Sequence, residues 1–311
     1  MPVGRSSYGN CSDLADDWAC RRDHETTNLH PMTEGTGPAT SMPLARSGLV
    51  GFVAGAAVGL LGGLVGLGGA EFRLPLLLTV FGFAALAAVI VNKAMSLVVV
   101  TVAIPARLGA VPLSAVADEW SAVVNLLAGS LLGAWLGASW ATRMASATLY
   151  RVLSMLLVLI AAVFTAEQLG TIPTTSLSGP VQLVAGLVAG FGIGVVAALL
   201  GVAGGELLIP TFVLLYGVDT KLAGSLSLLV SLPTMLVAFF RYSRDQAFAV
   251  LSENRRFVAS MAAGSVVGSV VGGLLLGVVS EAVLVPLLAL LLVYSAVKVW
   301  RHASSPSLNP R

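Results

Sequence analysis

From Ser47 to Trp300 the chain is a succession of apolar runs, many near the ~20 residues that a helix needs to cross a bilayer. A water-facing shell normally draws on about a quarter of charged residues. Here 10% are charged and 57% hydrophobic, with a mean hydropathy of +0.92. In lipid the backbone must satisfy its own polar groups, which leaves helices or closed barrels. The alternating polarity of barrel strands is absent, so the expectation is an all-α integral membrane protein whose main partner is the lipid bilayer. Ten apolar segments can be drawn, at 48–66, 72–90, 94–112, 121–142, 147–167, 180–200, 206–217, 222–241, 257–279 and 282–300. No basic cluster with interleaved aromatics is present, so nucleic acid is not an expected partner.

The second constraint is duplication. Residues 66–75, GLGGAEFRLP, return at 201–210 as GVAGGELLIP, 135 positions later. Gly66, Gly69, Glu71 and Pro75 thereby recur as Gly201, Gly204, Glu206 and Pro210. A ladder of small residues, Gly129, Gly133 and Gly137, recurs at the same spacing as Gly264, Gly268 and Gly272. Between these matches, Asn92–Leu97 aligns with Ala223–Leu228 at an offset of 131. Two matches at one offset imply a repeat. The expected organisation is a polar tail over 1–45, one membrane repeat over 46–170, a second over 171–302, and a short tail over 303–311.

Five segments per repeat is an odd number, so the second copy should enter the membrane inverted. Arginine placement agrees: Arg241, Arg244, Arg255 and Arg256 mark the 241–256 loop as cytoplasmic, and the 168–179 linker has no Lys or Arg. Counting outward puts Arg46, Arg143, Arg151, Lys298 and Arg301 on the same side, with both termini cytoplasmic. The ladders are expected to be packing surfaces within the fold or between protomers, the latter making a homodimer.

The tail carries both cysteines, Cys11 and Cys20, so the membrane body can form no disulfide. Its polar, mixed-charge composition predicts a disordered extension, and Met42 offers an alternative start just before the first span. Cys11, Cys20, His24 and His30 fit no standard zinc spacing, so neither metal nor cofactor is expected.

Segment 206–217 is 12 residues long, about 18 Å of helix, against roughly 30 Å of hydrocarbon. It cannot cross alone, so the glycine motifs should interrupt helices inside the membrane. Short, Gly/Pro-interrupted segments in corresponding places of two halves point to a transporter binding site. Gly68, Gly69 and Ala70 in one motif, and Ala203, Gly204 and Gly205 in the other, would present backbone amides at helix N-termini, a setting suited to a small anion. Pro75 and Pro210 are expected in or near the first helical turn.

Glu71 and Glu206 could cap those helices or couple protons, since intramembrane carboxylates often mark ion pathways. Arg73, Lys93 and Arg107 are first-half cations, with Leu208 and Gly224 opposite Arg73 and Lys93. An arginine can hold an oxyanion through two parallel donors. For Lys93 and Arg107, near helix ends, snorkelling to headgroups competes with that role. Asn92, Ser96, Ser225 and Ser227 could complete an anion's hydrogen-bond shell or bond between helices.

The paired motifs, each followed by its serine-bearing segment (Asn92–Leu97, Ala223–Leu228), resemble those of the TauE/SafE family of membrane permeases. The resemblance spans about 46–302 and implies a bacterial inner-membrane permease for sulfite, sulfonates or related small sulfur-containing anions. Ala70 stands where many relatives carry glycine, and Arg73 with Lys93 implies a more cationic site. The expected function is thus secondary transport by alternating access. An anion channel is the alternative of the same kind. An intramembrane enzyme is the alternative of another kind, and it would have to work through Glu71 and Glu206, because His24, His30 and His302 all lie outside the spans.

Overall fold

The computed structural model describes residues 47–65, 69–108, 113–168, 179–275, 290, 293–294 and 296–301. The chain divides into two units, Met1–Ser41 and Met42–Arg311, and every described residue belongs to the second. All regular structure among the described residues is helical. The order is α1 (Gly48–Val65), α2 (Ala70–Thr79), α3 (Ala85–Leu108), α4 (Leu113–Asp118), α5 (Trp120–Ala141), α6 (Ser146–Gln168), α7 (Pro180–Leu200), α8 (Gly205–Tyr216), α9 (Thr220–Tyr242), α10 (Val250–Glu253) and α11 (Arg255–Leu274). Six of these, α3, α5, α6, α7, α9 and α11, are long and apolar enough to cross a membrane.

Helix starts repeat with the sequence. Ala70 and Gly205, Ala85 and Thr220, and Trp120 and Arg255 are each 135 residues apart. Individual backbone bonds repeat as well: Phe83 N–H donates to Leu77 O at 3.0 Å, and Val218 N–H to Phe212 O at 3.3 Å. Where the copies differ, polar side chains supply local starts. Asp219 caps α9 by accepting from Lys221 N–H at 3.0 Å, and Asp245 does the same for Ala247 N–H at 2.9 Å.

One boundary needs correction. The sequence segment 72–90 is not one span: α2 stops at Thr79 and α3 begins at Ala85. The intervening Val80–Ala84 is itself apolar, so hydropathy runs straight through the break. Both repeats therefore carry a short second helix, of 10 residues in α2 and 12 in α8. The segment expected at 282–300 lies largely outside the described residues.

The repeats are interlocked. Helix α1 of the first lies on α11 of the second, and α5 of the first lies on α7 of the second. Along the first pair, Gly55, Gly59 and Gly63 face the carbonyls of Met261, Ser265 and Ser269; along the second, Gly129 and Gly133 face those of Leu187 and Phe191. Residue numbers rise together in both, so each pair runs parallel. Without Cβ atoms the backbones approach to direct contact, where dispersion and C–H···O contacts replace the hydrophobic drive that lipid cannot provide. Both ladders pack against helices of the same chain. The consequence is positional. Crossing partners from opposite repeats bring the two glycine motifs together.

Candidate functional site: two interrupted helices joined by α3

The first motif separates α1 from α2, and the second separates α7 from α8. Helix α2 begins behind Gly69 at φ 71°, and α8 behind Gly204 at φ 82°, left-handed conformations open to glycine. At Gly69 a side chain is excluded twice over, since a Cβ would also strike the Val58 carbonyl oxygen. Helix α7 closes with Gly201 N–H on Ala198 O at 3.2 Å and Val202 N–H on Ala197 O at 3.1 Å, a tight C-terminal turn.

The prolines sit deeper than expected. Pro75 and Pro210 are each the sixth residue of their helices, in the second turn. A proline nitrogen carries no hydrogen, so the carbonyl four residues earlier loses its usual helical donor. In both motifs that residue is the glutamate, Glu71 or Glu206.

Helix α3 holds the arrangement together. The Asn92 side-chain amide donates to Ala70 O at 3.0 Å in the first motif and to Leu200 O at 3.1 Å in the second. Lys93 Nζ donates to Ala197 O at 2.7 Å and Val202 O at 2.6 Å. Ser96 Oγ donates to Gly201 O at 3.3 Å. Three neighbouring side chains thus grip the end of α7, where unsatisfied carbonyls and the negative helix end favour an ammonium. Lys93 is fully buried and does not snorkel.

The positions on α9 that stand 135 residues on, Ser227, Leu228 and Ser231, offer no such grip: Ser227 Oγ turns back to Gly224 O at 2.9 Å, Leu228 has no side-chain donor, and Ser231 Oγ has no partner among the described residues. Lys93 therefore has a structural use that the frame alone did not disclose. Replacing Lys93 with methionine should strand the Val202 carbonyl and weaken the α7 turn, at about 1–3 kcal/mol per orphaned acceptor. Hydrogen exchange at 200–205 should accelerate and the melting temperature fall; unchanged exchange there would refute the clamp.

Glu71 and Glu206 are buried and close enough to act on each other electrostatically. Glu71 Oε1 and both carboxyl oxygens of Glu206 have no donor among the described residues. Arg73 is buried and acts electrostatically on Glu71, while Lys93 acts on Glu206. Asn92 Oδ1 and Ser225 Oγ are buried and unpartnered. Ala203 and Gly204 are buried and Gly205 is partly so, next to Ser227 on α9. Gly68 and the Arg107 side chain lie outside the described residues.

Two features went unread in the sequence. Ser231 Oγ is buried and unpartnered one turn beyond Ser227, on the same face of α9, a spacing that could have flagged it. Tyr242 OH donates to Ala198 O at 2.9 Å, adding a fourth tie on the end of α7. Nothing local marks that contact. No group of three or more His, Cys, Asp or Glu occurs among the described residues.

The family model described as "Sulfite exporter TauE/SafE" matches residues 50–299. Neither a curated protein nor a solved structure matches the chain. The family match takes in both motifs, both ladders and all the long helices, and on that extent the chain belongs to the sulfite exporter TauE/SafE family.

Proposed function

We propose that this membrane protein moves a small sulfur-containing oxyanion or sulfonate by alternating access, with the solute held where the two interrupted segments meet. The observation that carries this reading is the Asn92 amide, which donates to Ala70 O at the start of α2 and to Leu200 O at the end of α7 and so ties the two interruptions together. Arg73 on α2 and Ser225 and Ser231 on α9 are buried, and their donors would suit a pyramidal or tetrahedral anion. The amides of Gly69, Ala70, Gly204 and Gly205 at two helix N-termini add to them. In the dry interior such donors act at full strength, because water does not screen them.

Because Asn92, Lys93 and Ser96 tie α3 of the first repeat to the end of α7 in the second, an alternating movement would have to carry α3 and the end of α7 as one piece. Insertion with cytoplasmic termini in an inner membrane rests on Arg241, Arg244, Arg255 and Arg256 clustering beside the α9–α11 connection. With Cys11 and Cys20 replaced by serine, Thr174→Cys and Ala247→Cys should label from opposite faces; labelling from one face would break this orientation.

The function itself is tested by counterflow in proteoliposomes loaded with sulfite, sulfate, thiosulfate, sulfoacetate or taurine. Saturable, trans-accelerated exchange of at least one of them is expected. Resolved single-molecule currents would replace the transporter with a channel, and no flux of any would remove the anion reading.

A further inference from the structure

Away from the interrupted helices, the last described stretch of the chain leaves a groove against α6. Helical residues 296–301 dock on the core through Ala296 and Val299, which are buried. Beside them opens a space of about 400 Å³ lined by Ser154, Met155 and Val158 of α6 and by Val297, Trp300 and Arg301. That volume falls within the range of small-molecule sites, about 300–1,000 Å³. The floor of the groove is apolar: Ala296 and Ser154 are buried, and Ser154 Oγ is spent on Tyr150 O at 2.9 Å. Its walls, Met155, Val158 and Val297, are exposed. On helices that cross a membrane, exposed apolar side chains face lipid tails, so lipid is what reaches this groove.

One end of the groove is cationic. Arg301 stands in its lining, Lys298 precedes Arg301 by one turn, and Arg151 precedes Met155 by one turn on the same face of α6. All three cationic side chains are exposed. The carboxylate of α6, Glu167, is near the other end of that helix, about 24 Å along from Arg151. Residues 293, 294 and 296–301 include no Asp or Glu. Trp300 shares the rim, and its amphipathic ring suits the headgroup level of a bilayer. A guanidinium has five N–H donors, enough for a phosphate and a protein partner at once.

We infer that this groove binds an anionic phospholipid, with one acyl chain between α6 and residues 296–301 and the headgroup phosphate held by Arg301, Lys298 and Arg151. A chain that leaves the bilayer for an equally apolar groove gains no hydrophobic energy, so the groove contributes fit and dispersion. Selection comes from the basic residues, each worth about fivefold in affinity for an anionic headgroup. A second copy of this protein suits the same face poorly. In a two-fold dimer about the membrane normal, Arg151, Lys298 and Arg301 would meet their own copies at one depth, like charge against like. The inference is independent of which solute the protein carries.

The test uses purified, delipidated full-length protein and two readouts. Native mass spectrometry with added dioleoylphosphatidylglycerol should show one retained molecule, preferred over dioleoylphosphatidylcholine by about tenfold or more. Equal retention of the two lipids would overturn the headgroup site. The double variant Lys298→Gln with Arg301→Gln should cut the preference by at least about fivefold. Val158→Trp fills the groove from an exposed position and should lose the retained phosphatidylglycerol. Val188→Trp, at an exposed position of α7 outside the groove, should keep it. Retention by Val158→Trp as strong as by Val188→Trp would overturn the groove.

Thermal unfolding is the second readout, because a ligand of the folded state raises its melting temperature. Phosphatidylglycerol should raise it in the wild type and in Val188→Trp, but not in Val158→Trp. Inorganic phosphate raising it as far, in the wild type but not in the double variant, would put a free anion in place of the lipid and overturn the inference. A wild-type dimer that Val158→Trp dissociates would give the face to a second copy and overturn it equally.

Discussion

Replacing Arg73 with leucine should abolish anion transport in proteoliposomes, by about 100-fold or more. Truncating one partner of a buried charged contact typically costs about 2–5 kcal/mol. Leucine is the informative choice because Leu208 occupies the equivalent position in the second repeat, where its backbone N–H bonds to Gly204 O at 3.0 Å as Arg73 N–H bonds to Gly69 O at 3.2 Å. The local helix therefore accommodates that side chain. The variant does leave Glu71 without its nearest cation, which is destabilising in itself. A double variant, Arg73→Leu with Glu71→Gln, removes both charges and should regain stability. It should not regain flux if the guanidinium binds the solute. Normal counterflow in the double variant would reduce Arg73 to a counter-charge for Glu71.

The largest effect on stability is expected at Gly268. A Cβ there would collide with the Ala56 carbonyl oxygen on α1, which is backbone and cannot turn aside. Overpacking of cores costs about 1–3 kcal/mol when side chains can shift, and Gly268→Leu forces two helices apart instead. Loss of folded, monodisperse protein is the expected result. Gly273→Leu, five residues further along α11, is the control, because nothing lies within 4 Å of a Cβ there and the position is exposed. A lipid-facing leucine at Gly273 should leave the melting temperature unchanged. By the repeat, Gly133→Leu should behave as Gly268→Leu does, through the Phe191 carbonyl. Equal tolerance at Gly268 and Gly273 would mean that α1 and α11 do not pack as described.

Some of this was legible residue by residue. The motif around Glu71 and its echo around Glu206 announced interrupted helices, because glycine and proline leave their mark wherever they stand. The ladders announced close packing, because a four-residue spacing lines up one helix face. The break after Thr79 was missed, because Val80–Ala84 is as apolar as the helices it separates and only the path of the chain distinguishes it. Lys93 was read beside its neighbours in sequence, where a cation near a helix end suggests a headgroup. Its acceptors are Ala197 and Val202, more than a hundred residues away.

The sequence by itself therefore determined the class of molecule, the duplication, and the two breaks that glycine marks, since hydropathy, repeat spacing and backbone restrictions are properties of short stretches. Only the tertiary structure decided which ladder mates with which helix, that Asn92, Lys93 and Ser96 of α3 hold the end of α7, and that Glu71 and Glu206 come close enough to act on each other. Those outcomes depend on how two halves exchange their helices. That is a matter of shape fitted between distant segments, and no short stretch of residues contains it.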